Sequence, residues 1–196
     1  MSGPLPHCDF RIMTRHELPE VLAIERRSFR EPWDQDRFLE VVQGKNGCRC
    51  VVVEVEGKVI GYFVLELQAT STHIINLAIH PDYRRRGYAS RCLGVIQKIA
   101  LRTLEMAKGR EANLHSLGSQ TARGFPHRSL PTKELRIAEK AAERSTLFRG
   151  EIFLEVEESN LPAQLLYKKF GFRAMKILPN YYPTLQEDGY LMRQEI

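Results

Sequence analysis

The sequence has few cysteines, and their spacing fits neither a metal site nor a disulfide framework. Cys48 and Cys50 are two residues apart in a segment with strand character, so both point to one face of that strand. Cys8 and Cys92 lie far from them in the sequence. No Cys-x-x-Cys motif and no cysteine–histidine pair has ligand spacing. We therefore expect no metal centre, and we interpret the four thiols as small packing groups.

Long apolar runs and internal repeats are also absent. No stretch approaches the ~20 apolar residues that a membrane-spanning helix needs. The first seven residues are polar and contain two prolines, unlike a basic and then apolar leader. A chain of 196 residues is long enough for one well-buried core and short for two. We expect a cytoplasmic protein without membrane contact, folded as one domain over residues 1–196.

The positive charge of the chain is unevenly distributed. The net charge is +5, and residues 110–149 hold eight Lys or Arg against four Glu, so the rest is nearly neutral. A local basic surface indicates an acidic or RNA-rich partner such as the ribosome. An ordinary solvated face is the alternative interpretation.

Two common phosphate-binding loops are missing, yet residues 74–107 carry another kind of phosphate cradle. No glycine-rich loop ends in Lys-Ser/Thr, and no three spaced glycines follow a strand. Instead, an apolar run ends at Pro81, a basic turn with Gly87 follows, and apolar residues then recur at helical spacing. A helix N-terminus beside a glycine and several guanidiniums favours an anion such as phosphate. The residues assigned to this turn are Arg84, Arg85, Arg86, Gly87, Tyr88 and Ala89.

The remaining pattern predicts an α/β (α+β) fold with a mixed central sheet of about six to seven strands flanked by helices. Strand-like runs cover residues 10–13, 48–55, 58–67, 72–79, 151–156, 172–177 and 190–196, and helical periodicity separates several of them. Residues 109–150 show no sustained periodicity up to Pro131, and Thr132 is a candidate N-cap for a helix through about Phe148. We interpret this segment as a basic, partly flexible insertion before the strand that carries Glu155.

Two motifs identify a family resemblance. Arg84, Gly87 and Ala89 fill the acyl-coenzyme A signature Arg/Gln-x-x-Gly-x-Gly/Ala of the GCN5-related N-acetyltransferases (GNAT). The segment from Leu154 to Phe172 resembles the RimI branch of that family, the ribosomal-protein-alanine N-acetyltransferases. The same branch carries a Phe-x-x-Pro-Trp element, a Tyr-Tyr-Pro segment and a Glu-Asp pair, and all three occur here. This chain departs from the branch at Glu157, where a basic residue is common, and at Gly189, where alanine is common.

The resemblance implies acetyl-CoA as cosubstrate and no metal. Backbone N–H groups around Leu77, Ala78 and Ile79 would polarise the thioester carbonyl. The basic turn would bind the phosphates. Asn160 is well placed as a helix N-cap, and it would also contact the pantetheine arm.

The resemblance also supplies two catalytic candidates. Glu155, on an apolar strand beside the expected cleft, would be the general base. A surface glutamate in a sheet ladder is the alternative. Tyr167 would be the general acid, and the alternative is an amphipathic core tyrosine. Strand alternation places Glu155 on the face of Phe153 and Glu157, opposite to its immediate neighbours.

Four aromatic residues are expected at the acceptor side. Phe29 and Trp33 belong to the loop that borders the substrate entrance in the RimI branch. Tyr181 and Tyr182 are expected to form walls of the slot for the first residues of the substrate, although two tyrosines before a proline also suit loop packing.

The sequence thus predicts an enzyme that transfers acetyl from acetyl-CoA to the α-amine of a protein N-terminus. The expected substrate is the N-terminal alanine of a small-subunit ribosomal protein. An acetyltransferase for lysine, a polyamine or another small amine is the rival among enzymes. From another class, an RNA- or ribosome-binding module that senses coenzyme A is the alternative, with the basic insertion as the contact.

Overall fold

The computed structural model describes residues 7–44, 47–121 and 149–196. For residues 111–121 it describes the backbone only. Seven strands form a single sheet in the order β1-β2-β3-β4-β5-β7-β6. All neighbouring strands are antiparallel except β4 and β5, which are parallel. The strands are β1 (Asp9–Ile12), β2 (Cys48–Val55), β3 (Lys58–Leu67), β4 (Ser71–Ile79), β5 (Glu151–Glu157), β6 (Arg173–Tyr182) and β7 (Glu187–Glu195). The helices are α1 (Leu18–Ser28), α2 (Gln35–Val42), α3 (Tyr88–Thr121) and α4 (Leu161–Lys169).

Helices cover both faces of the sheet, as an α/β fold requires. On one face, residues of α3 and α4 such as Ile96 and Tyr167 pack into a buried cluster with Phe63 and Ile152. On the other face, α1 and α2 bury residues such as Val21 and Phe38 against Tyr62 and Val64. The predicted fold class, a mixed sheet of six to seven strands flanked by helices, is confirmed.

Helix α3 is longer than the sequence pattern indicated. Among its residues with described side chains, which end at Arg110, Leu104 is the last buried one, and the backbone remains helical to Thr121. The predicted insertion, residues 109–150, therefore begins as helix. Gly109 does not end α3, because a glycine inside a helix costs only about 1 kcal/mol relative to alanine. Residues 122–148, which include the predicted helix from Thr132, lie outside the described residues.

Strand β6 is also longer than expected. The sequence suggested a strand over residues 172–177 and a loop from Pro179 to Thr184, whereas the structure extends the strand to Tyr182. The ladder with β7 has a register shift between Leu178 and Tyr182, and Asn180 there has φ +48°. An edge strand with such a bulge accommodates a proline, so Tyr181 and Tyr182 belong to a strand rather than a loop.

Within the described ranges, none of the helices combines the length and the apolar character needed to cross a bilayer.

Candidate active site

The site lies where the parallel pair of strands stops being a ladder. Ser71–His73 of β4 pair with Glu151–Phe153 of β5, and beyond them the two strands no longer pair with each other, although β4 stays paired with β3 to Ile79 and β5 with β7 to Glu157. A cleft of about 1560 Å³ opens between them. Its lining includes both strand ends, the start of α3, α4 and the segment that joins α1 to α2. Unpaired strand ends leave backbone N–H and C=O groups available to a ligand.

The basic turn lies at one side of this cleft. Gly87 has φ +89° and Arg85 has φ +62°, so the chain reverses direction immediately before α3 begins at Tyr88. The first N–H groups of a helix have no partner inside it, and the positive end of its dipole attracts anions. The predicted cofactor residues that line the cleft are Leu77, Ala78, Ile79, Arg84, Arg85, Gly87, Tyr88, Ala89 and Asn160.

The three arginines of the turn have different surroundings. Arg84 donates hydrogen bonds to the carbonyl oxygen of Ile79 at 2.8 Å and to the Ser28 hydroxyl at 2.9 Å. Arg86 donates to the carbonyl oxygen of Asp82 at 2.8 Å, and its guanidinium lies 5.4 Å from the centre of the Tyr83 ring. These two side chains brace the turn; Arg84 and Arg85 line the cleft, and Arg86, predicted to bind the cofactor, does not.

Glu155 lies on the cleft side of β5 and contacts a histidine that the sequence did not identify. The Nε2 atom of His73 is 2.6 Å from Oε2 of Glu155, and both side chains are about four-fifths buried. The imidazole stacks on the Phe153 ring with centres 4.4 Å apart. The parallel pairing of His73 with Phe153 produces this contact, because Phe153 and Glu155 share one face. A histidine within an apolar strand was the available signal.

Tyr167 lies at the inner side of the cleft, on α4. Its side chain is 9% exposed and its ring packs 5.8 Å from that of Phe172. Burial, with a smaller effect from Cys92, raises the pKa of Tyr167 to about 12. The phenol therefore keeps its proton at neutral pH, as a proton donor must.

Two walls enclose the side of the cleft where the sequence predicts the acceptor. Tyr181 and Tyr182 form one wall, with their ring centres 5.1 Å apart in an edge-to-face arrangement. Burial raises the pKa of Tyr182, and the negative charges of Glu157 and Glu155 add to this effect. Phe29 belongs to the opposite wall together with Trp33, which packs on Phe38 at 5.3 Å beneath the guanidinium of Arg37 at 3.9 Å.

An ion pair joins the two walls. Arg30, between Phe29 and Trp33, contacts Glu187 at the start of β7 at 2.7 Å. The second carboxylate oxygen of Glu187 accepts a 2.7 Å hydrogen bond from the Ser159 hydroxyl, just before α4. These contacts lower the pKa of Glu187, with the Ser159 bond as the largest cause. The predicted acceptor side is thus a slot whose two walls are joined by this ion pair.

A sequence profile of the acetyltransferase (GNAT) family matches residues 18–125, more than half of the chain. The chain belongs to this family. Its fold and its cleft residues are consistent with this assignment, and the predicted resemblance is confirmed.

Relatives and solved structures agree with this. A Bacillus subtilis protein assigned as a ribosomal protein bS18-alanine N-acetyltransferase is 29% identical over 93% of this chain and 91% of its own length. The crystal structure of the ribosomal-protein-S18-alanine N-acetyltransferase from Escherichia coli superposes with a TM-score of 0.60 at 23% identity, covering 97% of this chain and 94% of that one. Arabidopsis thaliana Naa50, solved with the bisubstrate analogue CoA-Ac-MVNAL, has a TM-score of 0.64 at 14% identity, covering 96% and 99%.

This GNAT protein is therefore an N-acetyltransferase. Within the described part of the chain, no group of three or more His, Cys, Asp or Glu side chains is arranged to hold a metal ion. The structure places Glu155, Tyr167 and the predicted aromatic pairs around one cleft.

Asn160 has the local role expected of it in this GNAT fold. Its side-chain oxygen accepts a 3.3 Å hydrogen bond from the backbone N–H of Ala163, which caps α4. Asn160 also lines the cleft, so a contact with a bound pantetheine stays a prediction.

Proposed function

We propose that this GNAT enzyme transfers acetyl from acetyl-CoA to the α-amine of a protein N-terminus. The proposed acceptor is an N-terminal alanine of a ribosomal protein, as the names of its relatives suggest. The observation that carries the proposal is the position of Glu155. It lies between the end of β4 that is not paired with β5 and a slot with aromatic walls. Such a slot suits an extended chain end that enters by its terminal amine.

The chemistry of the acceptor supports an α-amine. An α-amino group has a pKa of about 7.7–8.0 and lysine of about 10.4. At neutral pH roughly one N-terminus in ten is already neutral, whereas a lysine needs about 3.5 kcal/mol more help to lose its proton. A single carboxylate, acting directly or through a water, suffices for the first case. Glu155 would take this proton, and the adjacent imidazole of His73 would stabilise the carboxylate in the required orientation.

The remaining steps use residues on the other sides of the cleft. The neutral amine attacks the thioester carbonyl, and backbone N–H groups at Leu77–Ile79 donate to the oxygen that becomes negative. The carbon–sulfur bond then breaks, Tyr167 supplies a proton to the departing thiolate, and the proton released by the attacking nitrogen restores the phenol, directly or through water. The phosphates of acetyl-CoA would lie at the start of α3, where Gly87 and Arg85 line the cleft. These assignments give each predicted residue one chemical task.

The test is thiol release from acetyl-CoA with hexapeptides that begin with Ala, Ser or Met, beside free lysine and spermidine. We expect turnover with the peptides only and highest with Ala. Substitutions Glu155→Gln and Tyr167→Phe in the same experiment should each reduce kcat by about 10²-fold or more if the residues act in proton transfer. Turnover restricted to lysine or spermidine would contradict the N-terminal acceptor. Binding of coenzyme A without turnover of any amine would favour a sensing role.

A further inference from the structure

A carboxyl group outside the proposed chemistry is almost completely buried behind the acceptor wall. Glu25 of α1 is 1% exposed. Its Oε1 atom accepts a 2.8 Å hydrogen bond from the backbone N–H of Trp33, and its Oε2 atom accepts one from the Tyr62 hydroxyl. The side-chain amide of Asn76 lies 3.3 Å from Oε1 and 3.4 Å from Oε2. One carboxylate therefore joins three separate parts of the chain.

Such a group is not needed for stability alone. Burial raises the pKa of Glu25, and the hydrogen bonds from Trp33, Tyr62 and Asn76 oppose that effect. Removing a carboxylate from water is costly, and well-packed apolar residues often replace buried charged networks without loss of stability. The position of the three donors therefore suggests a different reason for the carboxylate.

Two of the three donors, Trp33 and Asn76, come from elements whose separation matters for acetyl transfer. Trp33 lies in the irregular segment between α1 and α2, and it lines the acceptor slot. Asn76 lies on β4 beside a register shift with β3, immediately before the residues proposed to polarise the thioester. An irregular segment without a ladder of its own needs side-chain hydrogen bonds to fix its position. Glu25 supplies such a bond between this segment and β4.

The amide of Asn76 gives an independent sign of this arrangement. Its Oδ1 atom is, among the described residues, the one buried side-chain nitrogen or oxygen without a hydrogen-bond partner. An unpaired buried acceptor is unfavourable. The amide thus takes an orientation that satisfies Glu25 rather than its own oxygen.

We propose that Glu25 is a positioning residue for the acetyl acceptor: it holds the Trp33 segment at a fixed place relative to β4, so that the bound amine meets the acetyl carbonyl. This inference rests on the proposed function, because it assigns one wall of the slot to the acceptor. Glu25 contacts neither substrate, and its effect is expected on acceptor binding rather than on acetyl-CoA binding.

Two substitutions of similar size separate the hydrogen bond from the packing. Glu25→Gln keeps an oxygen that can accept from the Trp33 N–H, and its amide can face the Tyr62 hydroxyl. Glu25→Met has no comparable acceptor, so the Trp33 N–H loses its partner. For Glu25→Met we expect the KM for an Ala-initiated peptide to rise about tenfold, the equivalent of one hydrogen bond of about 1.4 kcal/mol. Glu25→Gln should stay within about threefold, and both should keep the KM for acetyl-CoA within about twofold.

Trp33 provides a readout that does not depend on turnover. It is the sole tryptophan of the chain, so intrinsic fluorescence reports on this segment alone. Acrylamide quenching should increase in Glu25→Met and stay near the wild-type value in Glu25→Gln. Glu17→Gln is the matched control. Glu17 lies just before α1, and its carboxylate contacts Thr14 and Arg11 instead of the Trp33 segment. If Glu25→Met does not fold, Asn76→Ala removes the β4 end of the link and should raise the peptide KM in the same way.

Several results would overturn the inference. Equal losses in Glu25→Met and Glu25→Gln, a parallel rise of both KM values, or unchanged quenching in a folded Glu25→Met would each show a role in stability only. A wild-type protein that turns over no peptide would overturn the proposed function instead. The quenching experiment would still decide whether Glu25 holds the Trp33 segment.

Discussion

The Nε2 atom of His73 and the Oε2 atom of Glu155 lie 2.6 Å apart, and they join neighbouring strands at the point where pairing ends. A carboxylate in this position is oriented by the imidazole rather than by solvent. The second imidazole nitrogen lies 3.9 Å from a carboxylate oxygen of Glu66 on β3. The pair therefore behaves as one unit, and this has a measurable consequence.

We expect substitutions of the pair to be non-additive. His73→Phe keeps a ring against Phe153 but removes the hydrogen bond to Glu155, and it should lower kcat about tenfold. Glu155→Gln should lower kcat by about 10²–10³-fold, and the double variant should be no slower than Glu155→Gln. Steady-state kinetics with an Ala-initiated peptide measures all three.

The control for this cycle is Glu151→Gln on the same face of β5. Glu151 contacts Arg193 at 3.4 Å and does not line the cleft, so its kcat should stay within about twofold of wild type. Losses that multiply in the double variant would show that His73 and Glu155 act independently.

Tyr167 makes a prediction about stability at high pH. Because its folded-state pKa is raised from 10 to about 12, the protonated phenol stabilises the folded state fully below pH 10. This contribution is lost as pH rises towards 12, since the unfolded chain ionises first. At pH 11 the expected loss is about 1 kcal/mol.

Tyr167→Phe has no phenol to ionise. Its free energy of unfolding should therefore fall less than that of the wild type between pH 9 and pH 11, by about 1 kcal/mol. Guanidinium denaturation at the two pH values gives this difference. The same fall in both proteins would mean that Tyr167 is ordinary in its titration.

The sequence predicted those features of the site that depend on residues close together in the chain. The basic turn, the helix N-cap at Asn160 and the face of Glu155 follow from neighbouring residues, and the structure has the turn, the cap and the alternation of β5. His73 was missed because its contact depends on the register of two strands about eighty residues apart in the sequence. The pattern predicts a loop at Tyr181 and Tyr182, because a bulge that accommodates Pro179 in a strand has no clear sequence signal.

The buried network of Glu25 shows the same limit. The apolar residues of α1 recur at helical spacing as a stripe, and Val21, Leu22 and Ile24 in it are buried. The helical pattern alone does not distinguish Glu25 in that stripe, because its hydrogen-bond donors come from β3, β4 and the segment after α1. Only the packing of these three parts makes a buried carboxylate possible.

Close packing of β3 against β4 leads to a further prediction. Gly61 of β3 lies opposite Ile79, and a Cβ atom there would be 2.7 Å from the carbonyl oxygen of Ala78 and 2.6 Å from the Ile79 side chain. Gly61→Ala must therefore displace the end of β4 that is proposed to hold the thioester. We expect a loss of about 1–3 kcal/mol in stability and a raised KM for acetyl-CoA.

Gly94→Ala is a suitable control for this substitution. A Cβ at Gly94 in α3 would meet nothing within 4 Å, and alanine is favoured over glycine in a helix by about 1 kcal/mol. Thermal unfolding should show a higher Tm for Gly94→Ala and a lower one for Gly61→Ala. An unchanged KM for acetyl-CoA in Gly61→Ala would argue against a role of this end of β4 in binding.

Gly189 makes space for one wall of the acceptor slot. A Cβ atom at Gly189 would lie 3.2 Å from Cβ of Tyr181 and 3.3 Å from its ring, so Gly189→Ala would push that side chain by a few tenths of an ångström. We expect the KM for an Ala-initiated peptide to rise up to about fivefold, for a strain of about 1 kcal/mol. In Tyr181→Ala the ring contacts are absent and only the 3.2 Å contact with Cβ remains, so adding Gly189→Ala there should have a smaller effect. A KM that rises equally in both backgrounds would show that Gly189 acts on the slot by a route other than Tyr181.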